Sequence, residues 1–80
     1  MENSEIREKL SAIFSRIFNY NNAISDTLNA DNVQKWDSLT HLSMISEVEN
    51  TFGIKFKLKE LVSMKNVGDL IELVATKTST

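Results

Sequence analysis

The sequence predicts an all-α fold: a small four-helix bundle with three long helices, one short helix and a long loop between helices 1 and 2. In three stretches of the 80-residue chain, apolar residues recur at the spacing of an amphipathic helix. Between the first two of these stretches, residues 19–37 show no such period. No repeat or second domain is evident. We therefore expect one domain over residues 1–80, with a folded core at about 4–76 and a polar tail at 77–80.

The first helix is predicted at residues 4–18, where charged side chains occupy the face opposite the apolar one. Asn3 or Ser4 is expected to cap it. We interpret the apolar stripe as core. Its members are Ile6, Leu10, Ile13, Phe14, Ile17 and Phe18.

Residues 19–37 are predicted to form a loop rich in asparagine and aspartate. A loop of this length in a small domain is often functional or held by a few apolar anchors. Trp36 could face a partner, but anchoring is favoured because an indole directly before a helix can fix the path of the chain. The expected anchors are Ile24, Leu28, Val33 and Trp36.

The second helix is predicted at residues 38–52, and its first turn is the candidate site. Asp37 is a strong N-cap residue because its carboxylate can accept from the free N–H groups of that turn. Ser38 is then the first helical residue, exposed at the positive end, where a phosphate ester is stabilised by about 0.3–1 kcal/mol. Leu39 lies beside Ser38 at the exposed end, and Gly53 supplies a left-handed stop. The core side is expected to hold Met44, Ile45, Val48 and Phe52, with Leu42 at its margin.

The chain after Gly53 is predicted as a connector, a short helix at about 59–64 and a last long helix. In the connector, apolar residues alternate with lysines and are expected to point inward, over a length too short for a sheet. These residues are Ile54, Phe56 and Leu58. Asn66 and Asp69 are expected to cap the last helix. Its core side chains are Val67, Leu70, Ile71 and Val74.

Composition excludes several classes of protein. With 9 Lys+Arg against 11 Asp+Glu, the chain lacks the basic footprint of a nucleic-acid binder. It has no cysteine and one histidine, which argues against disulfides and a protein-borne zinc site. No apolar run approaches the roughly 20 residues that span a bilayer. The acidic, polar start is the reverse of a signal peptide, so we expect a cytoplasmic protein.

Asp37-Ser38-Leu39, opening a helix that runs into residues 49–54, resembles the 4'-phosphopantetheine attachment site of acyl and peptidyl carrier proteins. The tripeptide alone is weak evidence. Its placement near the middle of the chain, with one helix before it and two helical patterns after it, is much more specific. The resemblance covers about residues 5–76. It implies that Ser38 carries the arm, that coenzyme A supplies it, and that Asp37 helps to bind the metal ion, magnesium, during arm transfer.

The resemblance also implies what such a chain does. The thiol of the arm would carry acyl or aminoacyl groups as thioesters, so the cofactor supplies the chemistry. The implied partners are a phosphopantetheinyl transferase, an acyl-loading ligase or acyltransferase, and an acyl-consuming synthase or transferase. The expected role is that of a stand-alone, monomeric carrier in fatty-acid, polyketide or other specialised biosynthesis.

Partner-facing positions are expected at Leu39, Thr40, Leu42, Ser43 and Glu47. Fatty-acid carriers usually have acids at the positions of Thr40 and Ser43, so recognition through a strongly acidic helix is in question. Residues 38–52 carry two acids and no Lys or Arg, a balance of −2, whereas residues 53–65 carry four lysines against one glutamate, +3. We therefore predict that binding of partners depends weakly on salt and mainly on Leu39.

The sequence permits two alternatives to a carrier protein. His41 lies three residues after Ser38, so a Ser–His nucleophile pair is conceivable. No third group is evident to orient the imidazole, and the chain is small for a pocket with an oxyanion hole. The chain is therefore not expected to be an enzyme. The remaining alternative is a small helical protein–protein interaction module without a prosthetic group.

Overall fold

The computed structural model describes residues 3–78, and within that range the chain forms four α-helices and no strand. The predicted all-α fold, with three long helices, one short helix and a long first loop, is confirmed. The helices are α1 (Asn3–Phe18), α2 (Ser38–Phe52), α3 (Leu58–Ser63) and α4 (Val67–Thr78). Among the residues described, no helix is both long and apolar enough to cross a membrane.

The core lies where α1 packs against α2 and α4. The apolar stripe of α1 is buried as predicted, except that Ile17 stays partly exposed. No polar or charged residue of the described range is buried, so packing of apolar side chains holds the helices together. From α2 and α4 the core receives Met44, Ile45, Val48, Val67, Leu70, Ile71 and Val74.

The long loop between α1 and α2 is held by buried side chains and by backbone hydrogen bonds. The four predicted anchors, Ile24, Leu28, Val33 and Trp36, are all buried. Val67 N–H donates to the Leu28 carbonyl at 2.9 Å, and Gly68 N–H donates to the Asp26 carbonyl at 2.8 Å. These bonds satisfy two N–H groups at the start of α4 that have no partner within the helix. The loop is therefore part of the folded domain and fixes the chain that leads into α2.

Gly53 ends α2 and Asn66 caps the start of α4, as the sequence predicts. Gly53 ends α2 with φ at 67°, and its N–H donates to the Glu49 carbonyl. Asn66 Oδ1 accepts from Asp69 N–H at 2.9 Å, while Asp69 Oδ2 accepts from Lys65 N–H at 3.0 Å. Asn66 therefore caps α4 through its side chain, and Asp69 holds the backbone of the residue before the cap.

Three sequence-based expectations are wrong. Asn3 and Ser4 lie inside α1, so neither caps it. Leu58 does not point inward: it opens α3, one residue earlier than predicted, and stays exposed, whereas Ile54 and Phe56 pack against the core.

The third wrong expectation concerns the polar tail, because α4 continues to Thr78. Lys77 pairs with Glu60 of α3 at 2.9 Å, and Thr78 Oγ1 donates to the Val74 carbonyl at 2.8 Å. These contacts hold Lys77 and Thr78 in the helix, although their polar composition is typical of a disordered tail. Residues 79 and 80 of the predicted tail lie outside the described range.

Candidate functional site

Asp37 caps α2 as predicted, and the cap is reciprocal. Asp37 Oδ1 accepts from the N–H groups of Leu39 and Thr40, each at 3.0 Å. Thr40 Oγ1 accepts from Asp37 N–H at 2.8 Å and donates to the Lys35 carbonyl at 2.7 Å. The hydrogen bond from the Thr40 N–H lowers the pKa of Asp37 below its ordinary value. Asp37 is therefore a carboxylate at neutral pH, and the Thr40 hydroxyl is used within the cap.

Ser38 is the first residue of α2 and is exposed, as predicted. Its hydroxyl has no hydrogen-bond partner among residues 3–78. A cleft of about 350 Å³ lies beside it. Residues of the long loop, of the start of α2, of α3 and of the turn between α3 and α4 line the cleft. They are Ala30, Trp36, Asp37, Ser38, His41, Leu61, Met64 and Lys65. Ser38 therefore offers a free hydroxyl to solvent at the edge of a partly apolar cleft.

Trp36 joins this cleft to the core. Its indole ring stacks on Phe18 with centroids 5.4 Å apart, meets Phe14 edge-on at 5.3 Å, and donates through Nε1 to His41 Nδ1 at 3.0 Å. Burial lowers the pKa of His41, and a neutral ring that accepts at Nδ1 carries its proton on Nε2. Among the described residues, no hydrogen bond joins His41 to Ser38. The geometry therefore gives the Ser–His nucleophile pair no support.

The predicted partner-facing side chains differ in what they present to solvent. Leu39 is 78% exposed and Leu42 is 56% exposed, and Ser43 is also exposed. Two further apolar side chains, on α3, are exposed although the sequence did not single them out as partner-facing: Leu58 is 77% exposed and Val62 is 74% exposed. The spacing of Leu58 and Val62 could have indicated a shared exposed surface, because residues four apart on a helix lie on the same face. All four exposed large apolar residues of the described chain belong to the two helices that line the cleft.

The two acids of α2 have partners within the protein. Glu47 Oε2 lies 3.2 Å from Arg16 Nη2 of α1, and Glu49 Oε2 accepts from Phe56 N–H at 2.8 Å. The Glu47 carboxylate thus faces Arg16 of α1 and is not an unpaired charge on the surface of α2. Because of this pairing, α2 presents less free negative charge than its composition indicates.

The chain matches a protein-family model and is similar to solved structures of carrier proteins. The family model for the phosphopantetheine attachment site matches residues 8–74. The fold is similar to that of a holo acyl carrier protein from Geobacter metallireducens, with 37% identity and a TM-score of 0.84 over 90% of this chain and 84% of that one. It is also similar to a putative acyl carrier protein from Mycobacterium tuberculosis, with 27% identity and a TM-score of 0.80 over 89% of this chain and 96% of that one. No curated protein sequence matches the chain.

The chain belongs to the phosphopantetheine-binding carrier proteins. Proteins of this class are carriers rather than enzymes, and their prosthetic group is 4'-phosphopantetheine. Membership also implies interaction with a phosphopantetheinyl transferase and with enzymes that handle acyl groups. The residues present fit the group, since an exposed serine hydroxyl without an internal partner is available for a phosphodiester. The arm, when attached, supplies a thiol for thioester formation.

Proposed function

We propose that Ser38 carries the 4'-phosphopantetheine arm and that the chain is a discrete carrier of acyl or aminoacyl thioesters. One observation supports Ser38 above all: its free hydroxyl stands at the capped start of α2, beside a cleft. In arm transfer Ser38 Oγ forms a bond to the phosphorus of coenzyme A that bears the pantetheine. The bond from that phosphorus to the bridging oxygen breaks, adenosine 3',5'-bisphosphate leaves with that oxygen, and the serine proton passes to a base of the transferase. The enzymes served belong to fatty-acid, polyketide or another specialised biosynthesis.

The test is intact-mass analysis after incubation with coenzyme A, magnesium and a broad-specificity phosphopantetheinyl transferase. A carrier gains the mass of one phosphopantetheinyl group, whereas a helical interaction module without an arm keeps its mass. Mass analysis of the protein from its own cells would then identify the cargo. The monomeric state and the cytoplasmic location stay predictions.

We propose a second role for Asp37, as a contact of the metal ion during arm transfer. Its Oδ1 receives both backbone N–H groups of the cap, while Oδ2 accepts no hydrogen bond within residues 3–78. One carboxylate oxygen is therefore available to a cation while the other holds the helix. Proteins usually bind magnesium through one or two carboxylates, with water and phosphate oxygens as the other ligands.

Two substitutions separate these roles. Asp37→Ala is expected to lower the free energy of unfolding by about 0.5–2 kcal/mol and to slow arm transfer. Asp37→Asn should retain most of the stability, because asparagine also caps well, but it should still transfer slowly because an amide is a poorer magnesium ligand. Urea unfolding and transfer rates at several magnesium concentrations measure both effects. An Asp37→Asn variant that transfers as fast as the parent would exclude the metal role.

The cap also predicts a dependence on pH. Because the pKa of Asp37 is lowered in the folded protein, its stabilising effect is present above the pKa of an unfolded aspartate and is lost as the pH falls through the folded value. The free energies of unfolding of the parent and Asp37→Ala should therefore draw closer as the pH falls into the acid range. A difference between the two that stays constant over the acid range would show that the ionised carboxylate is not the stabilising form.

Partner binding is proposed to depend on apolar contact around Leu39 rather than on the acids of α2. We expect Leu39→Ala to slow arm transfer more than Glu47→Gln, because Glu47 is paired with Arg16. Leu58→Ala is the matched control, since Leu58 is equally exposed but lies on α3. Transfer rates across a salt series measure these effects, and only a shallow salt dependence is expected. A steep loss with salt, or a larger effect at Glu47, would show that an acidic helix governs recognition.

A further inference from the structure

An anionic group on Ser38 has a carboxylate as its neighbour in sequence. The N–H groups of Leu39 and Thr40 already donate to Asp37 Oδ1. While the cap is intact, these two donors are not available to a phosphate on Ser38. A phosphodiester there would therefore lie close to a like charge and without two of the N–H donors that usually stabilise an anion at a helix start. A cation from another part of the chain would offset the repulsion between this phosphodiester and the Asp37 carboxylate.

Lys65 is the lysine that lines the cleft together with Ser38 and Asp37. Its side chain is exposed and forms no salt bridge within the described residues. Its backbone is fixed, because Lys65 N–H donates to Asp69 Oδ2 at 3.0 Å at the start of α4. The lysine therefore extends from an ordered turn. Lys35 is close to Asp37 in sequence but does not line the cleft.

The other basic group at the cleft is not a competing cation. His41 accepts from Trp36 Nε1 through Nδ1 at 3.0 Å, so its ring is neutral in this arrangement. Arg7 and Arg16 of α1 are paired with Asp26 and Glu47. Among the residues that line the cleft, Lys65 is thus the one that brings a positive charge.

We propose that Lys65 is the counter-ion of the arm's phosphodiester and holds it on the cleft side of Ser38. The proposal rests on the proposed attachment of the arm to Ser38. Its ammonium group would offset the repulsion between the phosphodiester and Asp37. A lysine suits this task as a point charge for a phosphate oxygen. Lys65 is a positioning residue and takes no part in bond formation.

The experiment compares apo and holo forms of the parent, Lys65→Gln and the matched control Lys35→Gln. Intact mass first establishes that each holo sample carries one arm. Urea unfolding then gives the change in the unfolding constant that the arm causes in each protein. Taking this difference cancels any effect that a substitution has on the fold alone. A parent that gains no arm would overturn the proposed function, and the Lys65 role with it.

At low ionic strength, the arm should raise the unfolding constant by about 1.4- to 5-fold more in Lys65→Gln than in the parent, as expected for an exposed ion pair. The excess should disappear near 1 M salt, where the screening length is about 3 Å. Lys35→Gln should behave like the parent. The phosphorus-31 resonance of the holo protein should shift in Lys65→Gln and not in Lys35→Gln. The role of Lys65 is overturned if the two variants respond equally, or if Lys65→Gln matches the parent in both measurements.

Discussion

Ser38→Ala is expected to abolish attachment of the arm completely while leaving the fold intact. The hydroxyl is the proposed nucleophile, and no other group on the side chain can replace it. Ser38 is exposed and its hydroxyl has no partner among the described residues, so the free energy of unfolding should change by less than about 0.5 kcal/mol. Intact mass after incubation with coenzyme A and the transferase measures attachment, and urea unfolding measures the fold.

The matched controls lie on the same helix. Ser43 and Ser46 are also exposed residues of α2, yet neither stands at its capped start. Ser43→Ala and Ser46→Ala are therefore expected to load one arm, as the parent does. A mass gain that persists in Ser38→Ala, or that is lost in one of the two controls alone, would move the site away from Ser38.

Trp36→Ala is expected to cause the largest loss of stability among the substitutions considered. The indole ring is buried and contacts Phe14, Phe18 and His41. Removing a buried aromatic side chain typically costs about 3–5 kcal/mol. Native domains have about 0.05–0.15 kcal/mol of stability per residue, so this loss is a large share of the total for a chain of 80 residues. Arm transfer should slow as well, because Trp36 directly precedes the cap.

Trp36→Phe separates packing from hydrogen bonding. Phenylalanine keeps much of the aromatic contact with Phe14 and Phe18 but cannot donate to His41 Nδ1. We expect the free energy of unfolding to fall by about 1–3 kcal/mol, because His41 Nδ1 loses its donor and the phenyl ring is smaller than the indole. Urea unfolding followed by circular dichroism suits both variants, since neither contains tryptophan. Equal stability of Trp36→Ala and the parent would show that Trp36 is not an anchor.

The features of the fold that local chemistry determines could be predicted from the sequence. The bounds of α2 follow from a capping aspartate at one end and a glycine at the other, and both act through adjacent backbone groups. The anchors of the long loop follow from the few large apolar residues in a polar stretch. The same local reasoning identified Ser38 as exposed at a helix start.

Contacts between distant segments could not be predicted, because no local pattern encodes them. The hydrogen bonds from Val67 and Gly68 to the long loop depend on how the bundle closes. The pairing of Glu47 with Arg16 depends on the packing of α1 against α2. Counting charges along α2 therefore overstated its free negative charge. Lys65 was counted only as part of a basic segment, and the fold brings it to the same cleft as Ser38.

Fragment-ion mass spectrometry of the protein, purified from its own cells and digested, tests most directly whether Ser38 carries the arm. Attachment to Ser38 predicts one phosphopantetheine per chain, on the peptide that contains Ser38, with fragment ions that assign it to that residue. An acyl or aminoacyl group on the thiol would also reveal the cargo. An arm assigned to another residue, or native protein that carries no arm at any stage of growth, would contradict the account.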